Sequence, residues 1–270
     1  MMKRRKGSTL VSQLTGTGVF FWRDLYTTDQ KKALDFYGKL FGWKLNAEFP
    51  VSDDETYYII ETNGQRFGGI SKLSSDAPSH SYWSSYIRTP DVDATTEQAT
   101  AKGGSVLMPP TDIPNVGRFS VIADPAGAAF CAMTDNMPEP VPFDNDVADG
   151  GVTWNELLTT DVEGSLAFYA DLFGYSVKTS EMGPGMTYSM LTIEQDGQSV
   201  HVAGVFQRPE QMRASAWMTY FKVANIEAAR EKIEELGGKN VGPVLEVPGT
   251  GRMSTAVDST GGYFSIHEYA

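Results

Sequence analysis

Glu156, His267 and Tyr220 are the residues of this chain best suited to move a proton. A carboxylate, an imidazole and a phenol can serve as base, acid and hydrogen-bond donor. A carboxylate close to a histidine raises the imidazole's proton affinity toward neutrality, which suits proton transfer. Each stands in a strand-like stretch: Glu156 two residues after Trp154, Tyr220 two after Met218, His267 two after Ser265. Side chains at i and i+2 share one face of a strand, so each pair points the same way. The N-terminal half carries a matching set with other chemistry: Trp22 and Asp24, Ser84 and Tyr86, Cys131 and Met133. Arg118 and Arg252 each follow a glycine. They could hold an anion, or form structural salt bridges.

The match between these sets is a tandem repeat. Trp22-Arg23-Asp24-Leu25-Tyr26-Thr27-Thr28-Asp29 aligns with Trp154-Asn155-Glu156-Leu157-Leu158-Thr159-Thr160-Asp161. The same separation pairs Phe36-Tyr37 with Phe168-Tyr169 and Leu40-Phe41-Gly42-Trp43 with Leu172-Phe173-Gly174-Tyr175. Further along, at a separation two residues larger, Trp83 pairs with Trp217, Tyr86 with Tyr220, Gly117-Arg118 with Gly251-Arg252 and Asp124 with Asp258. One short loop difference accounts for the change, and register held over this length marks a duplication. The reading is therefore an N-terminal tail over 1–18, a first domain over 19–133, a linker rich in Asp, Pro and Asn over 134–150, and a second domain over 151–270.

Elements of one copy position these residues. Val19–Tyr26 is rich in aromatic and branched residues and reads as a strand. Thr28 or Asp29 caps a helix whose Ala33, Phe36, Tyr37, Leu40 and Phe41 recur at helical spacing, and Gly42 ends it. Strands follow over 43–48, 56–62 and 67–72, with Asn63-Gly64 as a hairpin signal. The order β-α-β-β-β then recurs, with a strand over 83–88, a helix over 93–102, and strands over 105–109, 117–123 and 129–133. In the second copy the clearest helices lie over 162–173 and 226–236.

Composition sets outer limits. The net charge is −12, which opposes binding to a phosphate backbone and argues against nucleic acid as a partner. One cysteine, Cys131, excludes an intrachain disulfide. The basic start Lys3-Arg4-Arg5-Lys6 is followed by a stretch too polar for a signal peptide, and no run is long enough for a membrane helix. A cytoplasmic protein with no membrane partner and a disordered or loosely docked tail up to about Gly18 is expected.

Four βαβββ units in two pairs, the Thr-Asp-x-x-x-Ala-x-x-Phe-Tyr-x-x-Leu-Phe-Gly segment, and Asp124-Pro125-Ala126-Gly127 before a last strand together resemble the glyoxalase / bleomycin-resistance (vicinal oxygen chelate) family. The resemblance covers nearly all of 19–269. It implies an α+β fold of two tandem domains, each curling its mixed sheet into a cup around a ligand.

Enzymes of that family hold a divalent ion at the cup floor through His, Gln and Glu. By alignment those positions are Trp22, Ser84 and Cys131 in one copy and Trp154, Met218 and Ser265 in the other. Indole and thioether supply no hard donor, and one thiol without partners makes no site. No metal and no other cofactor is expected. Asp24 with Tyr86, and Glu156 with Tyr220 and His267, would then form a layer just past these positions. Glu156 and His267 read either as an acid/base pair, with Tyr220 holding a substrate oxygen, or as a mutually satisfied pair that supports the sheet.

Trp22, Trp154, Trp83, Trp217, Tyr58 and Tyr188 are candidates for an aromatic lining, divided between cup and core. His201 lies in a stretch that could face the second cup or an exposed hairpin, His80 in a polar loop, and Met182–Met186 in a glycine-proline loop near that cup. Three functions follow from these residues. The first is metal-free binding of a small aromatic or apolar molecule in the cups. The second is a metal-independent lyase, isomerase or hydroxylase-like enzyme using Glu156 and His267. The third is a structural role without ligand. The chain could pair its domains internally as a monomer or form a homodimer.

Overall fold

A computed structural model describes residues 13–52, 55–74, 80–136, 138–142, 147–183 and 186–270. A short strand, β1 (Gln13–Leu14), precedes the first domain. That domain runs β2 (Phe20–Thr27), α1 (Gln30–Phe41), β3 (Lys44–Ser52), β4 (Glu55–Thr62), β5 (Gln65–Lys72), β6 (Tyr82–Arg88), α2 (Val92–Ala101), β7 (Ser105–Ile113), β8 (Gly117–Ala123) and β9 (Ala129–Asp135). After β10 (Val141–Pro142), the second repeats it as β11 (Val152–Thr159), α3 (Val162–Phe173), β12 (Ser176–Gly183), β13 (Met186–Gln195), β14 (Gln198–Gln207), β15 (Ala216–Lys222), α4 (Ile226–Glu235), β16 (Lys239–Val247), β17 (Gly251–Val257) and β18 (Tyr263–Tyr269). Each domain is one eight-stranded mixed sheet, in the orders β3-β4-β5-β2-β6-β9-β8-β7 and β12-β13-β14-β11-β15-β18-β17-β16. Within each, the two units join through the antiparallel pairs β2–β6 and β11–β15.

Local chemistry sets the boundaries. Asp29 caps α1 by accepting from the Lys32 amide, and Gly42 ends it at φ 71°. Asp161 and Gly174, at φ 72°, do the same for α3. The β4–β5 hairpin turns at Asn63 and Gly64, both at positive φ, as its Asn-Gly pair requires. The sequence places the outer strands too short: β7 and β16 run on to Ile113 and Val247 as exposed edge strands.

The hydrophobic cores cross the domain boundary. One joins Phe36, Tyr37, Trp43 and Trp83 of the first domain to Phe221, Ile226, Ile233 and Phe264 of the second. The other joins Phe20, Ile122 and Phe130 to Phe168, Tyr169, Phe173 and Trp217. Helix α1 thus packs on α4, and α2 on α3. Arg23 and Asn155, at equivalent positions, meet along the seam, where the buried guanidinium donates to Asn155 Oδ1 at 2.5 Å and to the Phe20 carbonyl at 2.9 Å.

Part of the expected tail is ordered into this assembly. Strand β1 pairs with β10, inside the stretch read as a linker. Leu14 is buried, and the Gly18 carbonyl accepts the Tyr175 hydroxyl at 2.6 Å. Residues 1–12 of that tail lie outside the described residues, as do 184–185 of the glycine-proline loop. Among the described residues no helix is long and apolar enough to cross a membrane.

Candidate functional site

With the helices and crossed cores on one side of each sheet, the alternate side chains project from the other. In the first domain Trp22, Tyr86, Cys131 and Met133 pack there with Phe21, Phe119 and Val121. Phe21 and Trp22 share this face although adjacent, because the β2–β6 register slips between Phe20 and Trp22.

Asp24 lies at the centre and is buried. Its Oδ1 accepts from Tyr57 Oη at 2.7 Å and Trp22 Nε1 at 3.0 Å, and its Oδ2 from Tyr86 Oη at 2.7 Å. Burial raises the Asp24 pKa, against the opposing pull of these donors. Tyr57 reaches the carboxylate by lying over Gly69, where a Cβ would stand 2.1 Å from its hydroxyl.

Glu156 holds the same place in the second domain, half-buried rather than buried. Oε1 accepts from Tyr188 Oη at 2.9 Å and Oε2 from Tyr220 Oη at 2.6 Å. The Trp154 indole donates to Tyr188 Oη at 2.8 Å. Gly204 makes room for Tyr188 as Gly69 does for Tyr57. Burial raises the Glu156 pKa, and Tyr220 and Tyr188 oppose the shift. Each carboxylate oxygen here carries a single side-chain donor, whereas Asp24 has three in all. Glu156 therefore keeps lone pairs for a ligand.

The predicted Glu156–His267 pair does not form. His267 Nδ1 bonds Thr153 Oγ1 at 3.1 Å and Nε2 contacts the Thr250 carbonyl at 3.4 Å. The reason is register: Glu156 lies opposite Met218, while His267 lies beyond β15 beside Lys222. That is two strands across and four residues along, on the order of 16 Å over the sheet. Burial lowers the His267 pKa and keeps the ring neutral.

Tyr220 does reach Glu156, and Ser265 lies beside Tyr220, bonded to Thr255 Oγ1 at 3.0 Å. Met218, paired with Glu156 across the strands, is buried. Arg118 is held by Asp93 and Asp112, and Arg252 by Glu268 and Glu227. Both guanidinium groups are thus engaged by carboxylates. Trp83 and Trp217 belong to the crossed cores. The tyrosine of β4 that faces Asp24 is Tyr57; Tyr58 packs against a core. His201 bonds Thr192 and His80 is exposed. Sequence reasoning misses Tyr57 because it sets the parity of β4 one residue out. The glycine that Tyr57 covers is the available signal.

The donor set fits no divalent ion. Asp24 already accepts from Trp22, Tyr57 and Tyr86, and burial pushes the Cys131 thiol up to about 12, so it stays protonated against Ser84. Among the described residues no three His, Cys, Asp or Glu side chains cluster as ligands. The second site offers one carboxylate amid hydroxyls, an indole and a thioether.

Comparison with known proteins agrees with this architecture. The chain is 32% identical over 247 residues to "Putative glyoxylase CFP32" of Mycobacterium tuberculosis, covering 91% of this chain and 92% of that one. It is 29% identical over 269 residues to "Anthracycline biosynthesis protein DauV" of Streptomyces sp. (strain C5), covering 92% of each. Its fold is similar to that of the Mn(II)-bound glyoxalase from Novosphingobium aromaticivorans, with a TM-score of 0.63 at 15% identity over 96% of this chain and 83% of that one. The 2,3-dioxygenase LapB from Pseudomonas sp. KL28 gives a TM-score of 0.60 at 13% identity, over 93% of each chain. The model of one family matches twice, over residues 19–132 and 151–264. By that double match the chain belongs to the Glyoxalase/Bleomycin resistance protein/Dioxygenase superfamily.

Proposed function

We propose that the chain is a metal-independent binding protein that holds a small, planar aromatic molecule in its cups. One observation carries this reading: each cup centres on a single carboxyl hydrogen-bonded by tyrosines and flanked by an indole, where a metal would need several hard donors. Aromatic walls around a few convergent polar groups suit a planar molecule bearing oxygens. A relative named for anthracycline biosynthesis supports the same ligand class.

The test is a titration of protein treated with EDTA, using 1,8-dihydroxyanthraquinone as probe and tryptophan fluorescence as readout. Saturable quenching that is unchanged by added Mn(II), Zn(II) or Fe(II) is expected. Binding that appears only after metal is restored would overturn the reading.

A second reading is favoured by one feature of the second cup. Glu156 is half-buried with its proton affinity raised, as a general acid or base needs. In this reading it acts with Tyr220 and without His267, as a lyase, isomerase or hydroxylase-like catalyst. Glu156→Gln separates the two: catalysis predicts lost turnover with retained binding, and simple binding predicts little change for a neutral ligand.

A further inference from the structure

The two cups share a centre and differ at both ends. Around Asp24 and Glu156 stand the matching pairs Trp22/Trp154, Tyr57/Tyr188 and Tyr86/Tyr220. Toward the start of β2 and β11 the first cup is apolar and the second polar: Phe21 becomes Thr153, Val121 becomes Thr255, Cys131 becomes Ser265 and Met133 becomes His267. The replacements bond to one another as Thr153–His267 and Thr255–Ser265. Toward the other end the order reverses. Tyr26, Tyr82 and Ser71 of the first cup become Leu158, Ala216 and Phe206 of the second. In the first cup Tyr26 stacks on Tyr82 at 5.3 Å and its hydroxyl meets that of Tyr86 at 3.4 Å. In the second, Phe206 packs against Tyr188.

We propose that the cups bind their ligands with opposite polarity. The second takes a planar ligand whose oxygen-bearing edge points to His267 and Thr153. The first takes one whose oxygen-bearing edge points to Tyr26 and Tyr82. The inference rests on the reading that the cups bind small molecules, and it adds which end specifies which ligand.

Phe21 and Tyr26 lie five residues apart along β2, so the two ends of the cup stand on the order of 16 Å apart. At the polar end of the second cup His267 is buried against Tyr269, and its Nε2 contact to the Thr250 carbonyl is long and weak, so a ligand oxygen reaches the ring by displacing that carbonyl. At the corresponding end of the first cup the Arg88 guanidinium lies over the Phe21 ring, 4.5 Å from its centroid, and its charge is met by Asp135 at 3.0 Å. That end is closed by an internal ion pair and offers the ligand an apolar wall.

Each cup has its own reporter. Trp43, Trp83 and Trp217 give a common background, so quenching lost relative to the parent chain in Trp22→Phe is assigned to the first cup and that lost in Trp154→Phe to the second. The probes are 1,8-dihydroxyanthraquinone, with its oxygens on one edge, and unsubstituted 9,10-anthraquinone. In each cup the hydroxylated probe is expected to bind about tenfold tighter. His267→Met or Thr153→Val should abolish that preference in the second cup alone, and Tyr26→Phe in the first alone. Lys31→Ala, on the exposed face of α1, should leave it intact in both cups.

Two polar variants at different positions in the second cup guard against one failing to fold, which circular dichroism reads. Preferences that survive His267→Met, Thr153→Val and Tyr26→Phe, or that fall in both cups together, overturn the proposal while binding itself stands. Absence of quenching by either probe in either reporter overturns the binding reading, and the inference with it.

Discussion

Tyr37 of α1 donates its hydroxyl to Asp258 of the opposite domain at 2.8 Å, and the Trp83 indole donates to the same hydroxyl at 3.0 Å. On the other side the repeat keeps the Trp217 indole donating to the Tyr169 hydroxyl at 2.9 Å, while Asp124, the counterpart of Asp258, leaves its Oδ2 buried without a partner among the described residues. The Asp-Ser-Thr-Gly turn is thus a docking point for a tyrosine of the neighbouring domain as well as a turn. Tyr37→Phe strips a donor from a buried carboxylate and an acceptor from Trp83. A loss of about 1–3 kcal/mol is expected in urea unfolding. A double-mutant cycle with Asp258→Asn should show coupling on the order of 1 kcal/mol, and strict additivity would show that the bond stabilises nothing.

Gly204→Ala tests the placement of Tyr188. The added Cβ would stand 1.9 Å from the Tyr188 hydroxyl and 2.5 Å from the ring carbon bearing it, so the phenol must leave Glu156 and Trp154. A destabilisation of about 1–3 kcal/mol is expected. Trp154 emission should change with it, and probe binding to the second cup should weaken. Unchanged emission would mean that the phenol does not lie over the glycine.

His267 gives a pH signature of one sign. Burial lowers its pKa from the usual 6.5, so the unfolded chain binds the proton more readily. Its contribution to stability is complete above that value and is lost as pH falls through the folded-state pKa. Thermal unfolding between pH about 8 and about 5 should show a smaller acid-side loss in His267→Met than in the parent chain. His201, whose pKa is also lowered by burial and by Lys178, leaves a residual slope.

Glu156 acts in the opposite direction. Its folded-state pKa is raised above the usual 4.5, so its contribution is complete below that value and is lost as pH rises through the folded-state pKa. Glu156→Gln should therefore gain stability over the parent chain near pH 8 and lose that advantage near pH 4. Equal melting temperatures for the two chains at both pH values would count against a raised carboxyl. Asp24, raised for the same reason, remains in both chains.

Much of the fold is legible in the sequence because local rules and tertiary packing agree. Asn63-Gly64, Asp29 with Gly42, and the Phe36-Tyr37 helix face each dictate one geometry wherever they occur. The site is legible as far as alternation holds, which brings Trp22, Asp24 and Tyr86 together and likewise Trp154, Glu156 and Tyr220. Alternation fails where a register slip intervenes: the β-bulge beside Trp154 turns Thr153 into the cup. Strand offset separates Glu156 from His267, and no single strand reveals it. Trp83 and Trp217 cannot be assigned to core or cup from sequence, because the other side of each core comes from the other domain.

The crossed cores have an evolutionary consequence. Once the duplicated halves share both interiors, a change on the helix side of either domain must be matched in the other. The concave faces answer to no such partner. Selection is thereby steered inward, and two copies locked together by the Tyr37–Asp258 bond and their shared interiors remain free to drift apart in what they grip.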